Sequence, residues 1–129
     1  MSVLVTAHAV EARLEAALAP LGLSLPKLGV LHHLAVTGAP VPLRALAEHQ
    51  GCVPSNITQL VDRLEREGLV ERRDDPADRR SVRAVLTAAG ERAYARGMQA
   101  LADAQGAIVR AIGPAEAAHL QSILAHLAA

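Results

Sequence analysis

The sequence predicts a mainly α protein: six helices, with a single β-hairpin between the fourth and the fifth. Three observations carry this. The chain of 129 residues is 51% apolar, rich in Ala and Leu and only 1% aromatic. Ala and Leu are strong helix formers, and the length suits one domain. Apolar residues recur at three- and four-residue spacing through most of the chain, the period of a helix face. The exception is one stretch in which "LVERR" and "SVRAVLT" flank the charged turn "DDPADR", the pattern of two short strands and their connection.

Residues 7–19 read as the first helix, with Val10, Leu14, Ala17 and Leu18 on one stripe. "PLGLSLP" ends it through Pro20, Gly22 and Pro26. A second helix starts at Pro26, a good first-turn residue, and reaches Val36. "TGAPVP" reads as a loop. A short third helix covers Leu43 to Gln50, and Gly51 suits the left-handed turn that closes it. The fourth helix opens at Pro54, runs to Glu67 and stops at Gly68. Thr87 caps a long fifth helix. Along it Tyr94, Met98, Leu101, Gln105, Ile108 and Ile112 step by 4, 3, 4, 3 and 4 in a heptad-like seam. Gly113 and Pro114 break it, and a last helix carries Leu120, Ile123, Leu124 and Leu127 on one stripe. Three central helices followed by a two-stranded wing is the winged helix-turn-helix order. Residues 1–129 then form a single domain: a winged lobe over 26–87, with helical regions at 1–22 and 88–129.

Thirteen basic residues balance thirteen acidic ones. A neutral chain argues mildly against a nucleic-acid binder, although a local positive surface can sit on a neutral molecule. The choice of cation points the other way. Lys27 is the only lysine, and every other basic residue is Arg. Arg presents a planar fork suited to phosphates and base edges; the codon usage of a GC-rich genome accounts for the same bias. Cys52 stands alone, so no intrachain disulfide forms, which fits a reducing compartment. No apolar run reaches the ~20 residues that span a bilayer, and the N-terminus lacks the pattern of a signal peptide. The expectation is a soluble cytoplasmic protein with no membrane contact. No nucleophile triad, phosphate-binding Gly loop or paired-Cys metal pattern is present, so neither an enzyme, nor a cofactor, nor a metal site is expected.

The fourth helix is informative as a surface. At about 100° per residue, Ile57, Leu60, Val61 and Leu64 share one arc and should be buried. The opposite arc holds Ser55, Gln59, Asp62, Arg63 and Arg66, with Asn56 and Thr58 on its flanks. Its N-terminal part is therefore made of short or fork-shaped polar groups able to read base edges, Gln or Asn to adenine and Arg to guanine. In helix-turn-helix proteins the start of the second helix does this reading. An ordinary solvated face is the competing account, though such a face is more often Glu and Lys. The acids Asp62, Glu65, Glu67 and Glu71 would repel phosphate unless they pair with neighbouring Arg; Asp62 and Arg66 stand at i,i+4.

"SNITQLVDRLEREGLVERRDDPADRRSVRAVLTAAG" resembles the MarR family of bacterial transcription regulators. The likeness lies in the "VDRLE" and "GLVERR" end of the fourth helix, the "DP" and "DRR" of the wing and the "LT" before the fifth helix; it extends in pattern to "LSLPKLGVLHHLAVTG" and "LRALAEHQG". The resemblance implies a homodimer built through the N- and C-terminal helices. It further implies a pseudo-palindromic double-stranded DNA operator, and repression relieved by a small effector or oxidant. By position it places Ser55, Asn56, Thr58, Gln59 and Arg63 on the DNA-facing helix, and Asp78, Arg79 and Arg80 at the wing tip. One of the two arginines would enter the minor groove, while Asp78 orients an Arg. A narrow, electronegative minor groove favours guanidinium, which explains five Arg between Glu71 and Thr87. The sequence departs from the family where Val53 holds the place of a capping Ser or Thr, and its first helix reads as short. A winged helix that has lost DNA binding and acts as a protein-interaction module is the alternative.

Cys52 invites a redox reading, but it falls in the turn rather than the first helix, and a small buried hydrophobe is the better account. His32 and His33 lie near where relatives hold ligands and are the candidates for lining an effector pocket. The lack of Phe and Trp points to an aliphatic or small ligand. Adjacent histidines on a helix face different ways, so a shared metal is not expected. His119 and His126, seven apart, share a face of the last helix.

Overall fold

The computed structural model describes residues 2–51 and 53–129. Six helices and a small sheet follow in the order α1 (Val3–Leu18), α2 (Leu25–Thr37), β1 (Val41–Pro42), α3 (Leu43–Gln50), α4 (Pro54–Arg66), β2 (Val70–Asp74), β3 (Val82–Leu86), α5 (Ala88–Ile112) and α6 (Pro114–Ala128). A 3-10 turn, Ala19–Leu21, joins α1 to α2. The expected winged helix-turn-helix order holds.

Two features differ from the sequence reading by more than a residue at a helix end. α1 begins at Val3, not at residue 7, because Ser2 caps it: its hydroxyl accepts the Leu4 N–H at 3.2 Å. The helix therefore starts four residues earlier than its apolar stripe indicates. The stretch read as a plain loop also contains β1, which pairs antiparallel with β3 as Val41 with Ala84 and Pro42 with Arg83. The sheet is thus three-stranded in the order β1-β3-β2. Pro42 has no N–H to give, which an outermost strand tolerates.

The core lies inside the winged lobe. Leu28, Val30, Leu31 and Leu34 of α2 meet Leu46 of α3, Ile57, Val61 and Leu64 of α4, and Val70 and Ala84 of the sheet, all buried. Tyr94, Met98 and Leu101 of α5 pack against this cluster half-buried. The seam on α5 therefore divides: its first three members serve the lobe, while Ile112 at its far end is exposed. Gly90 explains how α5 sits so close to the chain entering β2, since a Cβ there would collide with the Leu69 carbonyl. Thr87 caps the helix as expected, accepting the Gly90 N–H at 3.0 Å and donating to the Gly68 carbonyl at 2.6 Å.

α1 and α6 contribute almost nothing to this core. Only Leu18 of α1 is buried, and no residue of α6 is. Val3 and Leu127 are 78% and 70% exposed, with Leu4, Val5, Leu120, Ile123 and Leu124 also open to solvent. No single helix among the described residues is long and apolar enough to cross a membrane.

Candidate nucleic-acid interface

α4 starts without a side-chain cap. Val53 holds the extended cap geometry, φ −70° and ψ 151°, and its carbonyl accepts the Asn56 and Ile57 N–H groups at 3.1 and 3.3 Å, but it has no side-chain oxygen to offer the first turn. Burial along the helix follows the expected wheel. Ile57, Val61 and Leu64 are buried and Leu60 half-buried, while Ser55, Asn56, Thr58, Gln59, Arg63 and Arg66 are exposed. The five residues expected to meet DNA from this helix thus share its solvent side.

The pairing of Asp62 differs from the i,i+4 expectation. Its partner is Arg72 of β2, not Arg66. Arg72 stands opposite Ala84 in the sheet, and the strand carries its guanidinium against α4. There it also approaches Glu65 at 3.8 Å and donates to the Thr58 carbonyl at 3.3 Å. A strand-held, half-buried Arg has less freedom to lose than a solvated Arg66, so it takes the carboxylate. Glu65 further accepts the Arg72 backbone N–H at 3.0 Å. The base of the wing is therefore tied to α4 by one side chain, a role the sequence reading did not assign to Arg72.

The wing tip is shaped by two Asp side chains. Asp75 Oδ1 accepts the Ala77 N–H at 2.9 Å, and Asp78 Oδ1 accepts the Arg80 N–H at 3.0 Å. Asp78 so acts on the backbone of the residue that follows Arg79, fixing the turn that carries both arginines. Arg79 and Arg80 are exposed, and neither makes an ion pair among the described residues. Arg80 shares a shallow cleft of about 330 Å³ with Arg44 of α3 and Asp78. Arg44 is a second residue missed from sequence: it sits on a short helix away from the charged wing stretch, and only the fold brings it to the wing.

The two candidate pocket histidines part company, as adjacent helical positions require. His32 Nδ1 lies 2.9 Å from the Tyr94 hydroxyl, and His32 lines an apolar groove of about 240 Å³ with Leu25, Leu28, Met98 and Leu101. His33 turns instead to α3, its ring 4.2 Å from that of His49. Burial, then the neighbouring His49 and His32, hold the His33 pKa below its ordinary value of 6.5. No cluster of three or more metal-binding side chains exists among the described residues. Cys52 lies outside the described residues. His119 and His126 are exposed on α6, and His126 Nδ1 lies 2.8 Å from the Ser122 carbonyl.

The polar α4 face, the exposed arginine tip and the three-stranded wing define a winged-helix protein of the transcription-regulator type. The family model of the MarR family matches residues 23–82, from just before α2 to the start of β3. Solved structures align over almost the whole chain. A transcriptional regulator (MarR family) from Rhodococcus sp. RHA1 is 29% identical over 95% of this chain and 86% of its own, with a TM-score of 0.81. CouR from Rhodococcus jostii RHA1, solved bound to p-coumaroyl-CoA, is 30% identical over 95% and 86%, with a TM-score of 0.76. A cysteine-to-serine mutant of MarR from E. coli, solved with operator DNA, shares the fold at 23% identity, covering 97% of this chain and 89% of its own, with a TM-score of 0.82. No curated protein matches the chain significantly. The chain belongs to the MarR family.

Proposed function

We propose that this protein is a DNA-binding transcription regulator that acts as a homodimer on a pseudo-palindromic duplex, as a repressor. The observation that carries the reading is the division of α4: its apolar stripe is used up by the core, and Ser55, Asn56, Thr58, Gln59 and Arg63 are left exposed beside a wing whose Arg79 and Arg80 have no ion-pair partner among the described residues. α4 would enter the major groove and the tip a minor groove, with half-sites ~34 Å apart. That a MarR of the same fold was solved with operator DNA supports the DNA-binding part of this reading. A second copy of this chain is the natural cover for α1 and α6, since a 15-residue helix with no buried residue is not stable alone. Control by a small effector belongs to the same reading, with the apolar α2–α5 groove beside His32 as its pocket.

The test is fluorescence anisotropy of the duplex upstream of the protein's own gene, across salt, for the wild type, Arg79→Ala and Arg80→Ala. Sequence-selective binding that weakens steeply with salt and is reduced by at least one substitution is expected. No binding at low salt, to this duplex or to a random one, would leave a protein-interaction module in its place.

A further inference from the structure

The residue that opens α4 breaks two local rules at once. Val53 stands at the cap, where Ser, Thr, Asp or Asn would give a side-chain oxygen to the first turn and where Val is among the poorest choices. It is also 57% exposed. Among the described residues of the winged lobe, 26–87, only Val36 and Val53 are large, apolar and open to solvent, and Val36 lies in the last turn of α2. A lone exposed apolar residue is ordinary on a surface. One that also forgoes a cap is not, because helix stability is lost and no core packing is gained in return. Departures of this kind from local preference collect at functional positions.

The surroundings define what Val53 can meet. Ser55 and Asn56 follow it, exposed at the start of α4, so under the DNA-binding reading Val53 enters the major groove with them. The backbone holds it in place: its carbonyl accepts the Asn56 and Ile57 N–H groups at 3.1 and 3.3 Å. A β-branched side chain also has little χ1 freedom to lose. The one apolar group that base pairs present in the major groove is the C5-methyl of thymine. Against any other base edge Val53 would strip water from a donor or acceptor and offer no hydrogen bond back. We propose that Val53 packs on the C5-methyl of a thymine, so that this chain selects an operator with a thymine facing the start of α4 in each half-site. The proposal rests on the DNA-binding reading above and adds to it a readout that makes no hydrogen bond.

The test is a methyl scan of the duplex upstream of the protein's own gene, read by fluorescence anisotropy at fixed salt. Each thymine, with its counterpart in the other half-site, is replaced by deoxyuridine, which removes the methyl and keeps the hydrogen bonds of the base pair. Losing one buried methyl costs about fourfold in affinity, so the paired replacement should cost the wild type about fifteenfold at one position. Val53→Ala, which shortens the side chain without adding a cap, should bind the thymine duplex more weakly and show a smaller penalty at that position. Val53→Ser, which adds the cap oxygen and removes both methyl groups, should show a penalty no greater than about twofold. The proposal is overturned if no thymine pair shows the penalty in the wild type, or if the penalty is as large in both variants as in the wild type. Either result leaves the DNA-binding reading standing, whereas failure to bind any duplex at low salt overturns both.

Discussion

Arg72→Ala separates support of the interface from contact with DNA. Arg72 pairs with Asp62 and Glu65 and donates to the Thr58 carbonyl. Its side chain is 29% exposed and the two carboxylates 42% and 43%. At that exposure each pair contributes only about 0.5 kcal/mol, and the hydrogen bond to Thr58 about 1 kcal/mol. A loss near 2 kcal/mol should lower Tm by roughly 6 °C in a chain of this length, measured by circular dichroism at matched protomer concentration. DNA affinity should fall too, because the wing is no longer held to α4. The salt dependence of binding should not change, since a guanidinium already matched by two carboxylates releases no counterion from DNA. Arg80→Ala should do the reverse, leaving Tm in place and reducing the slope of log K against log salt by about 1. The reasoning fails if Arg72→Ala melts with the wild type, or if it reduces the salt slope as Arg80→Ala does.

Four further outcomes follow from single residues. Val53→Ser gives α4 the side-chain oxygen it lacks and should stabilise the protein by about 1 kcal/mol in urea unfolding. Gly90→Ala places a Cβ against the Leu69 carbonyl, which cannot swing away as a side chain does; a loss of about 2–3 kcal/mol is expected from the same assay. His33 has a folded pKa below 6.5, so the unfolded chain binds its proton first as pH falls. Its contribution is full above pH 6.5 and is lost between 6.5 and the folded pKa. His33→Gln should therefore flatten part of the decline in stability between about pH 7.5 and 5. Leu124→Asp puts a charge on the exposed α6 stripe and should convert the proposed dimer to monomer in light scattering, leaving the lobe's fold intact.

How much of this the sequence discloses depends on how far each feature reaches along the chain. α4 is legible from its own residues, because Ile57, Leu60, Val61 and Leu64 recur at helical spacing and the polar groups fall opposite. The caps at Thr87 and Gly51 are equally local: the first accepts the Gly90 N–H, and the second takes φ 64°. The start of α1 was local too, in the Ser2 cap, but Val3, Val5 and Thr6 are β-branched and mask it. β1 has two residues, one of them Pro, and no periodicity can announce so short a strand. The Asp62–Arg72 pair and the approach of Arg44 to the wing cross between elements. Spacing favours the i,i+4 partner until tertiary structure supplies a better-held one.

The zero net charge, which at first counts against DNA, changes meaning once the pairs are placed. Of the four acids around α4 and the wing base, Asp62 and Glu65 share Arg72, Glu67 takes Lys27, and Glu71 lies 3.7 Å from Arg73. Asp75 and Asp78 are turned to backbone N–H groups of the tip. Asp62, Glu65, Glu67 and Glu71 thus pair with two cations of the sheet and the single Lys, and Asp75 and Asp78 are engaged by the turn itself, while Asp74 is exposed with no ion pair among the described residues. Arg63, Arg66, Arg79 and Arg80 remain exposed with no ion-pair partner among the described residues. A formal count over the whole chain does not separate paired charge from unpaired, whereas an approaching phosphate meets chiefly the unpaired arginines. Local field, not net charge, sets such encounters. Neutralising a paired acid such as Glu67 should therefore change DNA affinity far less than removing Arg63, although both alter the formal charge by one.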